Sequence, residues 1–228
     1  MSDEPTVAVR GSAVLEADPE IARLTVTVQA QDKDRAKALR AVVAGSDAVK
    51  QVLAGYGAAV DKAEDQAVQV RPQFRDEGRS RRVEHYLGLV TIMVTVTDFT
   101  VLGDMVLRLG ELDLLALEGP FWGLRPTSPV HRQVRIDAVR DARVRASDYA
   151  EAAGGALLGL VSIADTGMSH EGRYDSALGE FATRSASMVA GQIADQVQWD
   201  LTPVRQTVRG AVEARFVMSQ PDFALPQD

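Results

Sequence analysis

The sequence predicts an α+β fold, a mixed and largely antiparallel sheet covered by two long amphipathic helices, and three features of the 228 residues predict it. Apolar and polar residues alternate with period two in several short runs, the mark of half-buried strands. In two longer runs apolar residues recur at steps of three and four, the mark of helices with one dry face. Gly, Asp and Pro punctuate the runs, and the chain contains no asparagine, so its turns fall to those three residue types. The predicted order is β-β-α-β-β-α-β-α-β-β. It forms one domain over residues 1–219, with a long insertion at about 166–201 and a C-terminal tail at 220–228.

Taken in order, Thr6 to Ala17 reads as a strand, and Asp18-Pro19 turns the chain into a second in which Leu24, Val26 and Val28 alternate with Arg23, Thr25, Thr27 and Gln29. These two are expected to pair as a hairpin. Asp32 or Asp34 offers an N-cap for a helix whose dry stripe is Leu39, Val42, Ser46, Val49 and Leu53, ended by Gly55 and Gly57. Ala67 to Arg71 reads as a short strand, residues 75–82 as a loop about Gly78, and the return strand sets Val90, Ile92, Val94 and Val96 on one face. Asp98 caps a short helix carrying Phe99, Leu102, Val106 and Leu109, with Gly110 expected in the left-handed conformation at its end. A strand at Leu114 to Leu124 and a turn at residues 125–129 lead to the second long helix, about Val130 to Ala153. Its stripe is Ala138, Val139, Ala142, Ala146, Tyr149, Ala150 and Ala153. On the wet side Asp137 precedes Arg140 by three residues and Asp141 precedes Arg145 by four, spacings that favour ion pairs. Strands at Leu158 to Ala164 and Val208 to Met218 close the fold.

Composition limits the chemistry. There is no cysteine, which excludes disulfides, thiolate metal sites and thiol catalysis. Hydrophobic residues make up 46% and charged residues 25%, and mean hydropathy is −0.08, values of a soluble globular chain. A net charge of −7 disfavours nucleic acid and anionic membrane as partners, because the long-range field repels polyanions. No run reaches the ~18 consecutive apolar residues of a spanning helix. The first residues, with Asp3, Glu4 and Pro5, lack the charged and apolar regions of a signal peptide, so a cytoplasmic location is expected.

Three stretches carry a resemblance. They are Val9-Arg10-Gly11 through Ala17-Asp18-Pro19; Val94-Thr95-Val96 with Asp98 and Leu102-Gly103; and Asp137-Ala138-Val139-Arg140-Asp141-Ala142-Arg143 continuing to Ala150 and Gly154. In this order, over about Thr6 to Ser219, they resemble the SIMPL-domain family, which includes bacterial YggE-like proteins and periplasmic immunogenic proteins. The resemblance implies an α+β fold of strands backed by long helices and, in some members, self-assembly into rings. It implies no reaction, although bacterial members are loosely linked to stress tolerance. Many relatives carry an export signal that is not seen here, and the segment after Thr166 has no counterpart in the resemblance.

No group of residues converges on a reaction in the sequence. His85, His131 and His170 lack second ligands at metal-site spacings, so no metal and no cofactor is expected. No nucleophile elbow, Walker loop or G-x-G-x-x-G is present. Glu64 with Asp65, and Glu111 with Asp113, are neighbours in polar turns rather than carboxylates facing across a cleft. Arg71, Arg75, Arg79, Arg81 and Arg82, with Phe74 and Tyr86, form the one basic and aromatic cluster, diluted by Asp76, Glu77 and Glu84. A solvated hairpin tip is its plain reading, and a protein contact its functional one. Trp122 and Trp199 serve equally well as interface anchors or core filling. The expectation is therefore a non-enzymatic, scaffold-like protein that associates with itself, with Arg75, Arg79, Arg81, Arg82, Trp122 and Trp199 as interface candidates. The alternative is a binder of a small molecule or lipid in a pocket between sheet and helices, about Trp122 and Tyr149.

Overall fold

The computed structural model describes residues 4–77, 80–166 and 201–222, the side chains of 76–82 excepted. Its elements are β1 (Thr6–Ala17), β2 (Ile21–Asp32), α1 (Arg35–Ala54), β3 (Val60–Glu77), β4 (Ser80–Val96), α2 (Leu102–Gly110), β5 (Leu115–Gly123), α3 (Pro129–Ala152), β6 (Leu157–Asp165) and β7 (Gln206–Met218), with short 3-10 turns before β3 and α2. This is the element order expected from the sequence, divided between two sheets rather than held in one. The chain forms two compact units; among the described residues one holds 4–17, 126–166 and 207–222 and the other 18–125 and 201–206.

The larger unit is built on a four-stranded antiparallel sheet in the order β3-β4-β2-β5. Period-two alternation in β2 and β4 places Ala22, Leu24, Val26 and Val28 opposite Val96, Val94, Ile92 and Val90, all on one face and all buried. That face is sealed by Val42, Val49 and Leu53 of α1 and by Leu102, Met105 and Leu109 of α2. Helix α1 starts where the Asp34 carboxylate accepts hydrogen bonds from the Ala36 and Lys37 amides at 2.7 and 3.3 Å, satisfying two donors that have no partner inside the helix. The helix lies close on the sheet because Gly45 has no side chain. A β-carbon there would stand 2.5 Å from Val28 Cγ1.

The smaller unit has a three-stranded sheet in the order β1-β7-β6, with β6 and β7 antiparallel. Helix α3 starts at Ser128, whose hydroxyl accepts from the Val130 amide, and Pro129 occupies the first turn, where its missing N–H costs nothing. Its buried line is Val134, Ala138, Ala142, Ala146 and Ala150, one residue in four. Ala138, Ala142 and Ala146 form a core with Val212, Ala214 and Phe216 of β7, with Val7, Val9 and Ala13 of β1 at its margin. Asp141 fastens helix to strand by accepting from the Ser12 amide at 2.8 Å, and it pairs with Arg145 at 2.7 Å. Asp137 pairs with Arg140 at 2.9 Å.

Four expectations need correction. β1 and β2 do not form a hairpin: β2 has both edges taken by β4 and β5, while β1 pairs with β7. The strand expected at 67–71 runs from Val60 to Glu77, because an edge strand with charges on both faces hides its period while pairing with β4 along its length. Gly110 is not the left-handed residue. Helix α2 runs through it, and positive φ falls at Leu114 (67°), whose carbonyl is held by the Gln29 amide at 2.8 Å. The dry stripes of both long helices differ from expectation: in α1 Leu39 is 41% exposed and Ala38 is buried in its place, and in α3 Val139 and Tyr149 are 38% and 61% exposed. The insertion expected at about 166–201 lies, beyond Thr166 and before Leu201, outside the described residues.

Candidate functional site

The basic cluster sits on a two-stranded ribbon. β2 reaches along β4 only as far as Tyr86, opposite Asp32, and past that point β3 and β4 continue alone. There Gln73 faces His85, Phe74 faces Val83, Arg75 faces Arg82 and Asp76 faces Arg81, so backbone register sets an acid among the arginines. Arg75 is exposed, as are Phe74 (43%) and Val83 (38%). Arg79 and the side chains of Arg81 and Arg82 lie outside the described residues, as do Trp199 and His170.

Trp122 is half-buried against the core of the four-stranded unit, edge-on to Phe99 with ring centroids 4.9 Å apart and planes at 77°. This geometry is favourable for aromatic pairs and makes Trp122 a packing residue. Its neighbour Phe121 is 40% exposed. Tyr149, on α3 of the other unit, is 61% exposed.

The remaining titratable residues are dispersed. His85 is half-buried on the ribbon. His131, in the first turn of α3, borders an open hollow of about 250 Å³ together with Arg135, Asp165 and Arg209. A second open hollow, about 330 Å³, lies between the end of β1 at Leu15 to Ala17 and the start of α3. Asp65 pairs with Lys50 at 2.6 Å and Glu64 lies 3.8 Å from Lys62, so this acidic doublet is spent on surface ion pairs. Among the described residues no group of three His, Cys, Asp or Glu side chains is placed to hold a metal ion. No described helix is long and apolar enough to cross a membrane.

Two features escaped the sequence reading. The first joins the end of α1 to α2: Tyr56 Oη donates to Asp104 Oδ2 at 2.7 Å, and Arg108 Nε meets the same oxygen at 3.1 Å. Burial, then the hydrogen bond to Asp104, pushes the Tyr56 phenol up to about 12, while that bond holds the Asp104 carboxyl below its ordinary value. Asp104 and Arg108 are four residues apart on one helix, whereas the tyrosine lies 48 positions earlier, beyond the reach of local spacing.

The second is β6. Leu158, Leu160, Val161 and Ile163 are 65%, 54%, 52% and 45% exposed, a concentration of uncovered apolar side chains on one nine-residue strand. The available signal was the charge-free run of residues 152–164. Leu160 and Ile163 stand opposite the buried Phe216 and Ala214, so the dry face of β7 continues onto β6 and is left open there.

The comparison with known families agrees with the three sequence stretches. The model of the SIMPL family, described as a protein of unknown function (DUF541), matches residues 7–216, and the chain belongs to that family. No curated protein matches the sequence.

Proposed function

We propose that this SIMPL-family chain is a non-enzymatic, scaffold-like protein that works by associating with further copies of itself. The observation that supports the reading most is the outward-facing apolar strand β6. Four large side chains at 45–65% exposure form a patch of the scale that marks contact sites on soluble proteins. Burial of apolar surface is the main driving force of such association and needs no reacting group. Sedimentation velocity of the full chain from low to high micromolar concentration tests the proposal. The expected result is a mass above 24.6 kDa that rises with concentration; a monomer throughout would refute it.

A second reading, a small-molecule binder, is favoured by the hollow bordered by Arg135 and Arg209, whose guanidinium groups, beside Asp165, suit a small anionic ligand. A thermal-shift screen of small carboxylates and phosphates tests it, since any ligand of the native state raises the melting temperature. No shift at millimolar concentration would remove this reading.

A further inference from the structure

We infer that β6 is a homotypic edge: it pairs antiparallel with β6 of a second copy about a two-fold axis, joining two three-stranded sheets into one of six strands. The inference rests on the self-association proposed above and names its surface and geometry.

The four edge strands of the described sheets are not alike. An exposed edge presents unpaired N–H and C=O groups and is ordinarily blunted by charge or proline. β3 carries Asp61, Lys62, Glu64 and Asp65; β5 carries Glu118 and Pro120; β1 carries Arg10 and Glu16. β6 has no charge before its last residue, Asp165, and no proline. Its two register shifts against β7 leave Leu158 and Val161 without a cross-strand partner on that side. Bulges commonly protect an edge, but here the extra residues are large, apolar and more than half exposed.

A second copy is the occupant that these properties fit. In any antiparallel register the uncharged run brings no charge opposite a like charge, so two chains of net charge −7 can meet here without local repulsion. An isologous contact needs one patch that complements itself, which a uniformly apolar strand provides. On the helix side the open ledge of Leu160 and Ile163 would adjoin its two-fold copy, extending the cover that α3 gives to β1, to β7 and, on β6, to Leu157. Four side chains at 45–65% exposure present roughly 400 Å², so two patches offer at most roughly 800 Å², and the paired edge backbone brings the ceiling to the ~1,000 Å² of a specific interface.

Because the chain has no cysteine, a single introduced thiol reports on one position. Val161→Cys in the full chain, treated with a short bis-maleimide, is compared with Val144→Cys on α3, which is 55% exposed. Sedimentation of the wild type and of Leu160→Lys/Ile163→Lys is run alongside, with circular dichroism to check the fold. The expected results are cross-linked dimer about ten-fold faster at residue 161 than at residue 144, from the higher effective concentration within a complex, and at least a halving of mass in the lysine variant with the spectrum unchanged. An oligomeric wild type whose mass survives both lysines, with equal cross-linking at the two positions, overturns the β6 edge and leaves self-association through another surface. A monomeric wild type overturns both. If the lysines lower the melting temperature of a chain that stays monomeric, the strand is covered from within the same molecule, and the inference fails.

Discussion

Replacing Gly11 by alanine puts a methyl group where α3 lies closest to β1. A β-carbon built on Gly11 stands 2.6 Å from the β-carbon and the amide nitrogen of Ala142 and overlaps the Ala138 carbonyl oxygen. Carbon atoms in contact prefer about 3.5–4.0 Å, so roughly 1 Å of separation must be found. The obstacles are the backbone and an alanine of a 24-residue helix, and no side chain there can rotate away. Overpacking of this kind costs about 1–3 kcal/mol, and with backbone as the obstacle the upper end applies. Alanine also restricts the unfolded chain, which returns about 0.4–1 kcal/mol, leaving a net loss of about 2 kcal/mol. Gly103 in α2 is the control, since a β-carbon there meets nothing within 4 Å, and Gly103→Ala should gain about 0.5–1 kcal/mol from helix propensity. Urea unfolding followed by circular dichroism should move the two midpoints in opposite directions, and amide exchange in the Gly11 variant should quicken along β1 and α3. A Gly11→Ala midpoint at or above wild type would show that the close contact between strand and helix has been misjudged.

Three further outcomes are expected. Leu114→Gly removes a left-handed side-chain residue costing about 1–2 kcal/mol, partly offset by glycine's freer unfolded state; since the side chain is 53% exposed, a gain of up to about 1 kcal/mol in urea unfolding should follow, and a loss would mean that its packing matters more than its φ. Tyr56 should ionise near pH 12, and the stability it lends is whole below ~10 and fades as pH climbs through the folded value; Tyr56→Phe should abolish the step near pH 12 in tyrosinate absorbance, whose persistence would assign it to another ring. Asp141 is held below its ordinary value by the Ser12 amide and then by Arg145, so its contribution is present above ~pH 4 and is lost as pH falls through the folded value. Asp141→Asn should flatten the acid side of the stability profile, and an unchanged slope would count against this bond.

Legibility in the sequence followed how locally each feature was encoded. The alternation of β2 and β4, the cap at Asp34 and the four-residue spacing of the α3 alanines depend on neighbours within a turn or a strand, and they could be read with few errors of boundary. Sheet membership could not. Asp18-Pro19 between two alternating runs is a hairpin signal, yet β1 belongs with β7, about two hundred positions away, because both edges of β2 are occupied. Gly11 held a hint, since a glycine inside a strand often marks a close backbone approach; which backbone approaches is set by α3, more than 120 positions later.

The candidate site divides in the same way. The arginine cluster is a property of adjacent residues and was visible at once, but the backbone register that sets Asp76 opposite Arg81 depends on the pairing of β3 with β4. The strand expected at Leu158 to Ala164 was equally visible, while its exposure was not, because an uninterrupted apolar run is the usual signature of a strand buried on both faces. What separates a buried run from an adhesive edge is the number of neighbours, and β6 has β7 on one side and, among the described residues, no strand on the other. A strand written for a protein interior but placed at a border reconciles the pattern with the exposure if the interior it was written for is completed by another molecule. That is why the mass of the full chain, rather than the pattern of its residues, decides between a solitary fold and an assembly.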